Sequence, residues 1–193
     1  MNLKVLLTLK ENFLKAMTVK DKELIVDMPL TIRDALTTDF DDVALLSVDA
    51  YREYSEWLSS EDWDKMKMNL SNVSKVPNQA KLIVALQDHE LVGSVTYYYP
   101  GTSTNRLFQP EWASLRMLAV SPKYRGQGIG RRLTEECIQR AKRDQAEVIG
   151  LHTSELMVTA RRMYEKLGFQ QDTELPRNFG IRYWRYVLKL AQS

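Results

Sequence analysis

Val120-Ser121-Pro122-Lys123-Tyr124-Arg125-Gly126-Gln127-Gly128-Ile129-Gly130-Arg131-Arg132-Leu133 is the stretch on which the reading of this chain turns. Ahead of it, Ala113 to Val120 is an apolar, strand-like run that Ser121-Pro122 stops. Behind it, Ile129, Leu133, Cys137 and Ala141 recur at helical spacing, which predicts an amphipathic helix from about Gln127 to Arg143. Glycine lets the backbone approach a ligand closely and adopt dihedrals closed to other residues. The first turn of a helix presents unpaired N–H groups and the positive end of the helix dipole. Joined, the two make a site for a phosphate or pyrophosphate, and Lys123, Arg125, Arg131 and Arg132 add positive charge around it.

Three glycine loops compete for this segment. A dinucleotide fingerprint counted from Gly126 reaches Gly128 and then Arg131, where its third glycine belongs, and a P-loop would need a Gly-Lys-Ser/Thr ending that is absent. The third pattern is R/Q-x-x-G-x-G/A, which Arg125, Gly128 and Gly130 meet.

Working outward, Val148 to His152 reads as a further strand, followed by a helix capped by Thr153 or Ser154. The inner face of that helix is Leu156, Ala160, Met163, Tyr164 and Leu167, and Gly168 ends it in a left-handed cap with Tyr164 and Phe169 in contact. Two strands close the chain, near Phe169–Gln171 and over Ile181–Leu190. Upstream, Leu82–Leu86 and Leu91–Tyr99 flank the polar turn Gln87–Glu90 and read as a hairpin. Leu30–Arg33 is a first strand, and two helices follow it. Thr38 and Asp41 have capping-box spacing ahead of the first helix, and Ser59 to Asp62 repeats a cap signal ahead of the second. Residues 28–193 therefore read as one α/β domain, with residues 1–27 an extension expected to be dispensable.

Composition narrows the function classes. With 193 residues the chain is long enough to bury a core without staples, and 44% hydrophobic with 27% charged residues is ordinary for a globular protein. A net charge of +2 supplies no field for nucleic acid. No run approaches the length of a membrane span, and the short apolar stretch Val5–Leu9, cut off by Lys10, does not fit a secretory leader, so none is expected. The single cysteine, Cys137, excludes an intramolecular disulfide and suits a reducing compartment, so a cytoplasmic location is expected. Two histidines and one cysteine are too few for the usual structural zinc site, and no metal is expected.

The segment Ala160-Arg161-Arg162-Met163-Tyr164-Glu165-Lys166-Leu167-Gly168-Phe169 carries a second pattern, A-x-x-x-Y-E-K-x-G-F. Together with R/Q-x-x-G-x-G/A and the strand before it, in this order and separation, it resembles the GNAT acyltransferase superfamily from Ala113 to Phe169. The resemblance implies a mixed, mostly antiparallel sheet of about seven strands flanked by helices, splayed between strands four and five. It implies acetyl-CoA as co-substrate, with the pyrophosphate on the turn formed by Arg125, Gly126, Gln127, Gly128, Ile129, Gly130 and Arg131. Main-chain groups of Leu118 and Val120 would hold the pantetheine like an added strand.

The implied reaction is attack of a neutral amine on a thioester, which needs a proton acceptor for the amine and a proton donor for the thiolate. Tyr164 stands at the family's general-acid position. Where many members carry a glutamate on the fourth strand, this chain has Ser114, which cannot act as a base unaided. His152 stands where other members place a fifth-strand base, and an unperturbed imidazole pKa of about 6.5 would suit the task. A water chain to solvent is the alternative. Tyr51, Tyr54 and Trp57, with Trp63, Glu53, Glu56 and Asp62 nearby, are candidates for holding a cationic amine acceptor. A non-catalytic acyl-CoA-binding module of the same fold remains the competing function, and a homodimer stays open.

Overall fold

A computed structural model describes residues 30–72, 80–102 and 107–191. The extension expected over residues 1–27 lies outside them. Seven strands form one sheet in the order β1-β2-β3-β4-β5-β7-β6. They are β1 (Thr31–Asp34), β2 (Ala80–Gln87), β3 (Glu90–Tyr98), β4 (Ala113–Val120), β5 (Val148–Ser154), β6 (Gln170–Asn178) and β7 (Ile181–Lys189). All neighbours are antiparallel except β4 and β5. Flanking α-helices are α1 (Phe40–Tyr51), α2 (Ser60–Ser71), α3 (Ile129–Arg143) and α4 (Val158–Lys166). No helix among the described residues is long and apolar enough to cross a membrane.

The strands sort their side chains between two layers because successive residues point to opposite faces. On β2, Leu82 and Val84 pack with Val43 of α1, while Ile83 and Ala85 join the larger core. That core takes in Ile129, Leu133, Cys137 and Ala141, the stripe read from the sequence. α1 and α3 thus cover opposite faces. The expected hairpin is present, with Asp88 and His89 both at positive φ (52° and 66°) as a tight two-residue turn requires.

Of the three expected N-caps, one forms. Ser59 caps α2 by accepting the Asp62 amide at 3.1 Å. Thr38 and Asp41 form no box; Asp39 instead accepts the Leu36 amide at 2.6 Å and pairs with Arg33, opening a 3-10 turn before α1. Thr153 and Ser154 belong to β5 rather than to a cap, and α4 begins only at Val158. On α3, Glu136 and Arg140 pair one turn apart at 2.8 Å, half-buried, and Arg140 reaches on to Asp34 of β1.

The C-terminus of α4 is as expected. Gly168 is left-handed (φ 94°), its amide donates to Glu165, and the Phe169 amide donates to Tyr164 at 3.0 Å. This is a Schellman cap, and the Tyr164 and Phe169 rings meet edge-on at 5.9 Å.

Two irregularities of β4 shape the site. β4 pairs with β5 only at Ala113–Ile149 and Ser114–Gly150, after which the strands part. On its other side, the ladder with β3 runs from Ser94–Ala119 to Thr96–Arg116, so β4 carries an extra residue, and Met117 sits at φ 57°. Such a bulge shifts the alternation by one. Before it, Leu115 joins the core beneath α3; beyond it, Ala119 turns to Leu46 and Ala50 of α1, and Leu118 and Val120 turn to the α3 side.

Candidate active site

A cavity of about 850 Å³ opens where β4 and β5 part. Its wall includes Leu118, Val120, Arg125, Gly126, Gly128, Ile129, Gly130 and Arg131, together with Tyr51, Tyr54, His152 and Tyr164. The tertiary structure therefore collects, around one space, residues that the sequence spreads from position 51 to position 164. Gln127 is exposed and stands off that wall, and Trp57 lines only a separate rim groove.

At one end lies the glycine turn. Gly126 and Gly128 are left-handed, at φ 79° and 80°, and Gly128 occupies the N-cap of α3. The first amide to find a helical partner is that of Arg132, bonded to the Gly128 carbonyl at 3.0 Å. The amides of Ile129, Gly130 and Arg131 have no main-chain partner among the described residues. They are the orphan donors that every helix start presents, and they suit an anion. Arg125 plays a different part from a free phosphate ligand. Its guanidinium donates to Glu53 at 2.9 Å and to the Ala50 carbonyl at 2.6 Å, tying the turn to the end of α1.

The parting of the strands leaves the β5-facing edge of β4 unpaired beyond Ser114. Tyr51 donates to the Leu118 carbonyl at 3.2 Å, a contact that sequence reading had not assigned to it. A carbonyl has a second lone pair, so this bond orients the edge without consuming it. Burial pushes the Tyr51 phenol well above its ordinary pKa and holds it protonated as a donor.

Tyr164 sits on α4 with its ring nearly sealed from solvent. Its hydroxyl has no hydrogen-bond partner among the described residues, and burial, with Tyr51 and Cys137 near, raises its pKa strongly. Burial keeps this phenol protonated but also weakens it as an acid, so at the cavity wall it donates a hydrogen bond to a group arriving there and yields its proton only to full negative charge developing beside it.

His152 also lines the cavity, between the rings of Phe108 (6.4 Å) and Tyr183 (6.0 Å). Burial first, and the Arg116 charge second, lower its pKa to about 4. A base near neutrality was the expectation; the surroundings make this imidazole neutral but weakly basic. Ser114 is buried in the sheet beside it and supplies no carboxylate.

The acceptor candidates of the first helices divide between the cavity and its rim. Tyr51 and Tyr54 meet edge-on at 5.8 Å on the wall, but Trp57 is 68% exposed. A 3-10 segment, Arg52–Trp57, follows α1 and carries this row outward to the rim. Glu53 is held by Arg125, and Asp62 is engaged by Ser59 at the α2 cap. Among the described residues no cluster of His, Cys, Asp and Glu is placed to hold a metal ion.

Residues 39–169 match the acetyltransferase (GNAT) family. The chain belongs to this family. A curated relative, the N-alpha-acetyltransferase 30 of Schizosaccharomyces pombe, is 37% identical over 76 residues, 38% of this chain and 51% of that protein. The chain thus spans about half the length of the curated relative it matches. Among solved structures, the PaiA N-acetyltransferase of Thermoplasma acidophilum in complex with coenzyme A superposes with a TM-score of 0.66 at 17% identity, covering 82% of this chain and 98% of that one. The ribosomal-protein-S18-alanine N-acetyltransferase of Escherichia coli gives 0.60 at 19% identity, covering 86% and 96%. At such identities these structures speak for the fold: the seven-stranded GNAT sheet with its parallel, splayed β4–β5 pair.

Proposed function

We propose that this GNAT chain is an N-acetyltransferase that moves the acetyl group of acetyl-CoA to a primary amine by direct attack. The observation that carries the reading is one cavity with free α3 amides at one end and the unpartnered Tyr164 phenol on its wall. The pyrophosphate takes the amides of Ile129 to Arg131, and the Arg131 charge adds to the helix dipole. The pantetheine runs along the unpaired edge of β4 at Leu118 and Val120, which brings the thioester into the gap between the strands.

The amine nitrogen then bonds to the acetyl carbon, the carbon–sulfur bond breaks, and the thiolate takes the proton of Tyr164. The amine's own proton leaves through water to bulk solvent. An imidazole whose conjugate acid has a pKa near 4 gains little from taking a proton from an ammonium ion, so His152 serves better as a neutral hydrogen-bonding group than as the base. The same weak basicity, with Ser114 in place of a carboxylate, is what favours the second reading, an acyl-CoA-binding module without turnover.

The test is a panel of small amines and peptides incubated with acetyl-CoA, following free thiol and the mass of the acetylated product. Amine-dependent thiol release supports the enzyme. Acetyl-CoA binding without release from any amine would establish the binding module instead.

A further inference from the structure

The wall of the cavity on the α1 side holds a pair of polar groups that nothing among the described residues satisfies. β4 and β5 are in register at Ser114–Gly150, so Arg116 and His152, two residues further along each strand, stand opposite one another where the strands part. Both lie before the Met117 bulge or level with it, on the face away from α3. Arg116 Nε and His152 Nδ1 are both out of reach of solvent and without a hydrogen-bond partner. Arg116 has no acidic partner among the described residues; its guanidinium rests over the ring of Tyr98 at 5.6 Å.

A buried donor left unpaired costs free energy, and a buried unpaired charge costs more. Nε and Nδ1 are themselves sealed, but both residues line the cavity in which the acceptor must bind, and among the described residues nothing gives the Arg116 guanidinium a hydrogen-bond acceptor or an acidic partner. The charge around them has one sign. Glu53 is the one carboxylate on the wall among the described residues, and Arg125 already pairs with it. A polyamine or other purely cationic acceptor would therefore meet Arg116 with nothing to offset the repulsion.

Building on the acetyltransferase reading, we propose that the acceptor amine carries a carboxylate a few bonds away, held by the Arg116 guanidinium and a ring N–H of His152 across the parted strands. The acceptor then enters on the α1 face while the coenzyme turn lies on the α3 face, and the two substrates meet in the gap between β4 and β5. The carboxylate can come from a free amino acid or from an acidic side chain at a peptide N-terminus.

The experiment compares free amino acids with their α-amides, and peptides starting with Asp or Glu with those starting with Asn or Gln. Each rate is referred to its unprotonated amine, because the amide alters the amine's basicity. The carboxylate member of a pair should exceed its amide in kcat/KM by about tenfold or more, the size of one charge-assisted contact. The free-acid pair and the peptide pair tell the two sources apart. Arg116→Gln should bring the ratio close to one, and Arg116→Lys, which keeps the charge, should restore part of it. Calorimetry of the same pairs with coenzyme A present gives a readout without turnover. Carboxylate-dependent binding that Arg116→Gln removes, in a protein that acetylates nothing, would sustain this inference while rejecting the catalytic reading. Amides or polyamines turned over as well as carboxylates by the unaltered protein would overturn it and leave the catalytic reading in place. That comparison decides even if Arg116→Gln fails to fold.

Discussion

Replacing Tyr164 by Phe separates chemistry from architecture at a single atom. The structure sets what the change leaves alone. The ring is 5% exposed, packs against Phe169 at 5.9 Å and belongs to the Schellman cap of α4, and Phe keeps all of this. The hydroxyl has no partner among the described residues, so its removal breaks no hydrogen bond there. Stability should change by less than about 0.5 kcal/mol, within the range of substitutions that disturb no packing or bonding. At roughly 2–4 °C per kcal/mol for a domain of this size, the melting temperature should move by no more than about 2 °C. Turnover should behave otherwise. The phenol's proton matters when the carbon–sulfur bond breaks and hardly before, so its loss should cost on the order of 10²–10⁴ in kcat. Acetyl-CoA affinity should shift about threefold at most, because one neutral contact to sulfur is worth about 0.5–1 kcal/mol. Thiol release at saturating amine gives kcat, calorimetry gives the donor Kd, and a melting curve checks the fold. Unchanged kcat with unchanged Kd would show that Tyr164 is a core residue and that the thiolate leaves unaided. A tenfold loss of affinity with kcat intact would make it a binding residue.

Three further outcomes follow from the geometry. Gly128→Glu sets a carboxylate at the left-handed N-cap of α3 (φ 80°), so it should cost about 1–2 kcal/mol in stability and lower coenzyme A affinity at least tenfold by like charge against the pyrophosphate; a folded variant with unaltered affinity by calorimetry would move the pyrophosphate away from this helix start. His152, neutral in the fold down to about pH 4, should make the protein less stable as pH falls through 6.5 towards 4, because the unfolded chain binds that proton first. The loss should reach about 2–3 kcal/mol at pH 4.5, and His152→Gln should remove it from the melting curves while taking no ionisation near pH 6–7 out of the kcat/KM profile. Gly168→Ala forces a left-handed alanine (φ 94°) whose Cβ would lie 3.3 Å from Leu188, so it should cost about 1–2 kcal/mol and lower the melting temperature by roughly 2–8 °C.

The sequence by itself determined what depends on neighbours along the chain. The α3 stripe of Ile129, Leu133, Cys137 and Ala141, the left-handed glycines of the turn and the Tyr164–Gly168–Phe169 cap are local matters of period and backbone freedom, and each stands in the structure as read. Caps were harder because a hydroxyl or carboxylate near a helix start has several amides within reach. Asp39, not Thr38, took the donor at α1, since Arg33 of β1 was there to bind the same carboxylate. Features that depend on elements meeting had no signature along the chain. The Met117 bulge inserts one residue and turns Leu118 and Val120 to the side of the glycine turn, a change of face that no apolar pattern across Ala113–Val120 reveals. The low basicity of His152 comes from burial among Phe108 and Tyr183 with Arg116 across the gap, three residues that are remote or separated in sequence. Residue type announces an imidazole or a guanidinium; its charge, its partners and the substrate it can hold are set by the dielectric and the neighbours that folding brings to it.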